Sequence, residues 1–440
     1  MKKFTFVLAF TMLGINIQAQ DKLTLSEAVN YALKHKSDAV NAHLDVENSE
    51  YMIDEVRANA LPQLNFEGGL TYNPILQETA MEFMGESMVI AMGRPWQSTA
   101  VVAFNQQLFN QSVFTGLKAA KTTREFYKIN AELTEEQVIE KVANSYFEVY
   151  KTKSQLETME RTIKNTTKVR DVIQSLHDTG LAKKIDLDRT TVALNNLKSA
   201  YQQLLNALNL QENALKYLIG MDINQEISLP DITFEVRNNI LVDESITVDN
   251  RTEIKLLEKQ SELLVLNQKA TKAQTYPSLS LSANYGYLGI GDEFPWFRSY
   301  PGAYWSDFAS IGLNLRIPLF NGGVVRAKTK QTQIEIEKLE VTKNDTRLAL
   351  DLALQNAITQ LNNSLITLST QEENVNLAKD VLENVENNYK SGLAALTDLL
   401  DAETSYADAQ NNYTSALLDY KLAEVQLIKA KGELKTLTEN

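Results

Sequence analysis

Four segments of this chain alternate apolar and polar side chains with a period of two, which is the pattern of β-strands. In Ser278–Leu288 one face carries leucine, alanine and tyrosine, and the other carries mainly serine, with asparagine and glycine. The same alternation runs from Ala309 to Ile317, and two further segments begin near Leu64 and Ala100. The pattern predicts strands at about 63–73, 98–109, 278–289 and 308–318. Strands of about 10 residues with one apolar face are typical of outer-membrane barrels.

Most of the remaining chain shows a seven-residue apolar repeat that indicates long helices. After Leu399 one position of the repeat is always alanine, at Ala402, Ala409, Ala416, Ala423 and Ala430. A similar repeat occupies Leu187, Leu194, Tyr201, Leu208 and Leu215. A sustained heptad is typical of helices that supercoil against neighbours, and alanine lets those neighbours approach closely. The predicted helices span about 111–178, 184–218, 323–390 and 396–436. The two longest would each measure close to 100 Å, at about 1.5 Å per residue.

The chain is internally duplicated. Leu108-Phe109-Asn110 recurs as Leu319-Phe320-Asn321, and Thr179-Gly180-Leu181-Ala182 recurs as Ser391-Gly392-Leu393-Ala394. Such a fixed period of about 210 residues predicts two copies of one structural unit. We therefore expect a first repeat at 20–218, a linking segment at 219–250 and a second repeat at 251–440. Four strands are too few to close a barrel, whose smallest examples have about eight, so several chains must close it together, and three would supply twelve strands.

The N-terminus and the composition narrow the class of protein. Met1-Lys2-Lys3, an apolar run from Phe4 to Ile17 and a small residue at Ala19 predict a signal peptide over 1–19. No later segment approaches the roughly 18 apolar residues of a membrane-spanning helix. The net charge of −13 argues against nucleic-acid binding. With three histidines, no cysteine and no phosphate loop, nucleophile elbow or zinc spacing, the sequence predicts neither an enzyme nor a bound cofactor or metal.

Four motifs resemble those of TolC-like outer-membrane efflux proteins, the exit components of tripartite efflux and type I secretion systems. They are Leu23-Thr-Leu-Ser-Glu27-Ala28, Ala60-Leu-Pro-Gln-Leu64, Ile317-Pro-Leu-Phe-Asn-Gly-Gly323 and Asp398-Leu-Leu-Asp401-Ala402. The resemblance implies a mainly α protein with membrane β-strands, in which a homotrimer forms a 12-stranded β-barrel continuous with a 12-helix periplasmic α-barrel. It also implies a passive outer-membrane channel that extends into the periplasm and works with a periplasmic adaptor (membrane fusion) protein and an inner-membrane pump.

The resemblance also implies residues for the periplasmic gate. Asp398 and Asp401 match the aspartates that ring the constriction in the family, and three copies would place six carboxylates in a narrow throat. Crowded like charges would attract cations or hold protons at unusually high pH. The alternative interpretation is helix capping, because acids in a first turn favour the helix dipole, and both can hold together. Asp186 and Asp188 occupy the corresponding tip of the first repeat.

The hairpin tips supply the remaining predicted site residues. Tyr389 and Asp186 match residues that lock the closed state in the family, whereas the family's locking arginine is replaced here by Ala394. Gly180 and Gly392 stand where each long helix must turn back, and glycine supplies the positive φ that ends a helix. By resemblance, the adaptor would dock on these tips, at Gly180, Leu181, Gly392 and Leu393.

Two further hypotheses remain open at this level. Met81, Met84, Met88 and Met92 are spaced by three and four, so they form either a soft-metal site or a short amphipathic lid or packed loop. The second hypothesis concerns function, because a non-conducting structural or adhesive envelope protein with coiled-coil spokes would also explain the heptads. It would not explain two matched pairs of strands with an apolar face.

Overall fold

The computed structural model describes residues 22–83, 85–230, 247–294 and 301–438. The predicted signal peptide lies outside these ranges, as do residues 231–246 of the predicted linking segment. The helices are α1 (Leu25–His35), α2 (Ser37–Ala58), α3 (Gln111–Asp178), α4 (Lys184–Ile219), α5 (Thr252–Ala273), α6 (Val324–Lys390) and α7 (Leu396–Lys431). The strands are β1 (Gln63–Tyr72), β2 (Gln77–Phe83), β3 (Glu86–Met92), β4 (Trp96–Asn110), β5 (Ser278–Gly291) and β6 (Ala303–Arg316). Across the described ranges, every helix is too short or too polar to traverse a lipid bilayer.

The chain folds as two compact units that do not coincide with the two sequence repeats. Unit 1 comprises Met1–Ala42, Glu132–Arg251 and Arg347–Asn440, and unit 2 comprises His43–Ala131 and Thr252–Thr346. Each repeat contributes to both units because α3 and α6 each begin in unit 2 and end in unit 1.

The main core of unit 1 joins α1, α3, α4, α7 and the C-terminal segment. Val142 and Tyr146 of α3 are fully buried with Leu215 and Ile219 of α4, and Leu418 of α7 packs in the same cluster. The Tyr146 hydroxyl donates a hydrogen bond to the backbone carbonyl of Leu23 at 3.1 Å. The N-terminal segment is thereby tied to the middle of α3 by both apolar burial and a satisfied polar group.

The predicted alanine seam of α7 is confirmed, because all five seam alanines from Ala402 to Ala430 are buried. Three of them, Ala416, Ala423 and Ala430, share a second core cluster with Leu361 and Leu368 of α6. Small side chains on one helix leave room for leucines from the facing helix, so the two backbones can pack closely.

In unit 2, four antiparallel strands form a sheet in the order β1-β4-β5-β6. Their register aligns apolar residues in rows on one face. Two such rows are Leu64–Phe104–Ala283–Ile311 and Phe66–Val102–Tyr285–Ala309. On the edge strands β1 and β6 the apolar side chains of this face are exposed: Leu64 is 69% exposed, Phe66 71% and Ile311 83%. The apolar residues that alternate along each strand therefore form one continuous apolar surface across the sheet.

The methionine-containing segment adopts a form that the sequence did not predict. Strands β2 and β3 pair as a separate two-stranded antiparallel sheet, with Met81 directly opposite Met88. Gly85, with φ +87°, lies in the tight turn between them, as short hairpin turns require. Helix-like spacing was misleading here because the β-branched Val89 and Ile90 favour a strand. Met84 lies outside the described residues.

Both repeats use one cationic side chain to cap the end of their last helix. Lys36, immediately before α2, donates from Nζ to the carbonyl of Tyr217 near the end of α4 at 3.2 Å. Arg251, immediately before α5, donates from Nη1 to the carbonyl of Ala430 in α7 at 2.9 Å. A positive charge at a helix C-terminus satisfies an otherwise unpaired carbonyl and complements the helix dipole. No sequence motif marked these two residues, although nearly one repeat period separates them.

Two glycines with the same backbone angle should respond differently to substitution. Gly220 (φ +75°) follows α4, and a Cβ there would lie 2.8 Å from the carbonyl oxygen of His35. Gly180 (φ +76°) has open space around it. We expect Gly180→Ala to cost about 1 kcal/mol from the left-handed conformation alone, and Gly220→Ala about 2–3 kcal/mol because the clash adds to it. Urea unfolding followed by circular dichroism in detergent measures both, and equal losses would contradict this prediction.

Candidate functional site

The turn between α3 and α4 has the geometry of a glycine-terminated helix. The N–H of Gly180 donates to the carbonyl of His177 at 2.9 Å, and the N–H of Leu181 donates to the carbonyl of Leu176 at 2.7 Å. This pair of bonds, with a left-handed glycine, is a Schellman motif, which satisfies the last carbonyls of the helix. The structural prediction for Gly180 is confirmed.

The turn between α6 and α7 repeats this arrangement. Gly392, with φ +75°, donates to the carbonyl of Tyr389 at 3.0 Å, and Leu393 donates to the carbonyl of Asn388 at 2.8 Å. In both turns the residue after the glycine points into solvent, since Leu181 is 78% exposed and Leu393 is 80% exposed. Each hairpin therefore carries one exposed leucine directly after the glycine that ends its first helix.

Asp398 caps the start of α7. Its Oδ2 accepts a hydrogen bond from the N–H of Ala395 at 3.0 Å, which satisfies a backbone donor at the helix N-terminus. Asp401 lies one turn further along, is exposed, and accepts no hydrogen bond from any residue in the described ranges. The capping interpretation is thus correct for Asp398, and its other carboxylate oxygen remains available to other charges.

The structure brings Tyr389 of α6 and Asp186 of α4 into one neighbourhood. Burial of the phenol, together with the negative charge of Asp186, raises the pKa of Tyr389 above its usual value. Both side chains are half-buried, whereas Asp188 is exposed. The two residues therefore lie within electrostatic range of each other, on helices from different repeats.

Glu403 of α7 is a half-buried acid that no sequence motif marked. Its Oε2 accepts a hydrogen bond from the hydroxyl of Thr166 in α3 at 3.3 Å. Burial raises the pKa of Glu403, the nearby charge of Glu386 raises it further, and the Thr166 hydrogen bond partly offsets both. Nothing in the local pattern marks position 403, because its environment is created by helices distant in sequence.

Comparison with known proteins agrees with this architecture. The family described as "Outer membrane efflux protein" matches residues 28–221 and 248–433. The outer membrane protein TolC of Vibrio cholerae serotype O1 is 24% identical over 99% of this chain and 96% of its own length.

Solved structures give the same result at the level of fold. The outer membrane protein VceC of Vibrio cholerae superposes with a TM-score of 0.71 at 20% identity, covering 93% of this chain and 96% of VceC. The CmeC outer membrane channel of Campylobacter jejuni gives a TM-score of 0.73 at 16% identity, covering 93% of this chain and 85% of CmeC. The chain therefore belongs to the outer membrane efflux protein family, as a TolC-like channel protein of the bacterial outer membrane that extends into the periplasm.

Proposed function

We propose that this protein is a homotrimeric exit duct that gives passive passage to substrates delivered by an inner-membrane pump and a periplasmic adaptor. In the trimer, β1, β4, β5 and β6 of each copy would close a 12-stranded barrel in the outer membrane. The four long helices of each copy, α3, α4, α6 and α7, would form a 12-helix periplasmic barrel. The duct itself supplies no energy.

The observation that supports this proposal most strongly is the unfinished four-stranded sheet of unit 2. Its apolar face is exposed in continuous rows across all four strands, which suits contact with lipid. The outer edges of β1 and β6 have no strand partner among the described residues. Inside a bilayer unpaired backbone groups cost several kcal/mol each, so such a sheet needs identical copies to close it.

The gate proposal rests on the ends of the helices. In a trimer, Asp398 and Asp401 would form a ring of six carboxylates that favours cations, with Asp186 and Asp188 near the same mouth. Tyr389 and Asp186 would hold the hairpins together in the closed state, and their electrostatic proximity supports this. The adaptor would dock on the hairpin tips at Gly180, Leu181, Gly392 and Leu393, where both leucines are exposed.

A matched pair of lysine substitutions tests the membrane face. Ile311 lies on the apolar face of β6, and the adjacent Ser310 lies on the opposite face of the same strand. We expect Ile311→Lys to impair insertion into liposomes by about 2–4 kcal/mol, because a lysine near the bilayer midplane is costly. Ser310→Lys should insert almost as well as the unmodified protein, since its side chain faces away from lipid. The folded, protease-resistant fraction measures insertion.

Equal insertion of the two lysine variants would exclude a lipid-facing role for this sheet. For protein that does insert, light scattering in detergent should give a trimer, and planar-bilayer recording should show discrete conductance steps. Insertion without conductance would favour the alternative of a structural envelope protein over a duct.

A further inference from the structure

A cavity of about 350 Å³ lies within unit 1, among α3, α4 and α7. Part of its wall is apolar, supplied by Met159, Leu197, Ala200, Leu400 and Ala407. This volume falls in the range of pockets that bind small organic molecules.

The charged part of the wall is entirely acidic. Glu403 and Asp408, both on α7, line the cavity, and no lysine, arginine or histidine does so among the described residues. The Oδ1 atom of Asn411, also in the wall, is buried and has no hydrogen-bond partner in the described structure. A buried acceptor without a donor is costly, so a ligand that donates a hydrogen bond to Asn411 would be favoured here.

Three of the four threonine hydroxyls in the cavity wall donate to acceptors of the protein itself. Thr162 donates to the carbonyl of Thr158 at 3.1 Å, and Thr404 donates to the carbonyl of Leu400 at 2.9 Å. Thr166 donates to Glu403 at 3.3 Å. Because each of these hydroxyl protons already makes a hydrogen bond, the three oxygens can act only as acceptors toward a ligand in the cavity.

The charges packed around Glu403 leave its carboxylate uncompensated. Glu386 of α6 is a like charge, and Asp408 lies in the same cavity wall. Arg161 of α3 lines a smaller cavity of about 150 Å³ together with Glu403, but its guanidinium donates to the Thr158 hydroxyl at 3.0 Å. Within the described part of the chain Glu403 has no ion-pair partner, and a half-buried carboxylate without one is unfavourable.

We propose that this cavity binds a small organic ammonium ion, with its N–H groups toward Glu403, Asp408 and Asn411 and its apolar body against Ala200, Leu400 and Ala407. Such a cation supplies the positive charge that the wall lacks and a donor for the unpaired Asn411 oxygen, and its body fills the apolar remainder. All the residues that line the site belong to one protomer, so the proposal does not depend on the proposed duct.

Isothermal titration calorimetry of the intact protein in detergent tests the proposal, with benzylammonium as the probe and benzyl alcohol as its neutral counterpart. We expect saturable submillimolar binding of benzylammonium and at least tenfold weaker binding of the alcohol. Glu403→Gln and Asp408→Asn should each weaken benzylammonium binding about tenfold or more. Asp380→Asn, an exposed acid of α6 outside the cavity wall, should leave it unchanged.

A substitution that fills the cavity without changing its charge distinguishes binding in the cavity from attraction to surface charge. Ala200→Leu alters no charge but fills part of the space, so it should abolish binding while the circular dichroism spectrum stays the same. Absence of binding by the unmodified protein, equal binding of the alcohol, or full binding by Ala200→Leu would each overturn the proposal. Because no membrane is present in this measurement, its failure leaves the channel role untouched.

The pH dependence of binding provides a second readout. Glu403 must be ionised to hold an ammonium group, and its pKa is raised. Binding should therefore weaken as pH falls through this raised pKa, before an ordinary glutamate would take up its proton. In Glu403→Gln this early loss should disappear, and its persistence there would overturn the assignment to Glu403.

Discussion

Replacing both Asp398 and Asp401 by alanine is expected to raise the single-channel conductance several-fold and to reduce the preference for cations. In the proposed trimer these residues form a ring of negative charge at the narrowest point of the periplasmic mouth. Removing the carboxylates removes both their bulk and their field, so anions should enter more readily. Planar-bilayer recording with equal salt on both sides gives the conductance, and recording across a salt gradient gives the cation selectivity.

The asparagine double variant separates the charge of these aspartates from the cap. Asp398→Asn can still accept the hydrogen bond from the Ala395 N–H, whereas alanine loses a bond worth about 1 kcal/mol. If charge controls the mouth, the asparagine and alanine double variants should both lose cation selectivity. Loss of selectivity only with alanine would show that capping, not a charged ring, controls the mouth. Asp351→Asn, at an exposed acid in the middle of α6, serves as the control.

Arg251→Ala is expected to destabilise unit 1 by about 3–4 kcal/mol. Arg251 is only 4% exposed and donates to the carbonyl of Ala430, so alanine leaves a buried carbonyl unpaired and opens space beside it. Chemical unfolding in detergent, followed by helical circular dichroism, measures the loss. Arg251→Lys should recover part of it, because lysine keeps the charge but not the planar geometry.

Arg57→Ala is the matched control for this loss. Arg57 pairs with Asp54 on the surface of α2, with side-chain exposures of 57% and 63%, so its removal should change stability by less than about 0.5 kcal/mol. Lys36→Ala, which removes the equivalent cap in the first repeat, should resemble Arg251→Ala. If Arg251→Ala were as mild as Arg57→Ala, the cap would contribute nothing to stability.

Several features could be read from the chain because they depend on neighbours in sequence. The period-two pattern around Leu64 and Ile311 correctly placed both side chains on one face of the sheet. The heptad predicted the buried alanines of α7, and the glycines at 180 and 392 marked where the helices end. The motifs also led to the family. The roles of Asp398, Asp401 and Tyr389 in a gate stay predictions, because they require several copies of the chain.

Other features escaped the sequence analysis because distant segments create them. The methionine hairpin was missed because the spacing of Met81 and Met88 fits a helix as well as a tight turn. Neither Lys36 nor Arg251 has a local signal, since each caps a helix that ends about 180 residues later along the chain. Glu403 becomes unusual only when Thr166 and Glu386 are brought beside it.

The sequence by itself determined the strands with one apolar face, the heptad helices, the duplication and the family, because side-chain periodicity and turn residues act over short range. Only the tertiary structure decided which charges are buried, which carbonyls are capped and where a cavity remains. Those outcomes depend on how α3, α4 and α7 pack against one another, and packing sets desolvation and hydrogen-bond partners that no local pattern encodes.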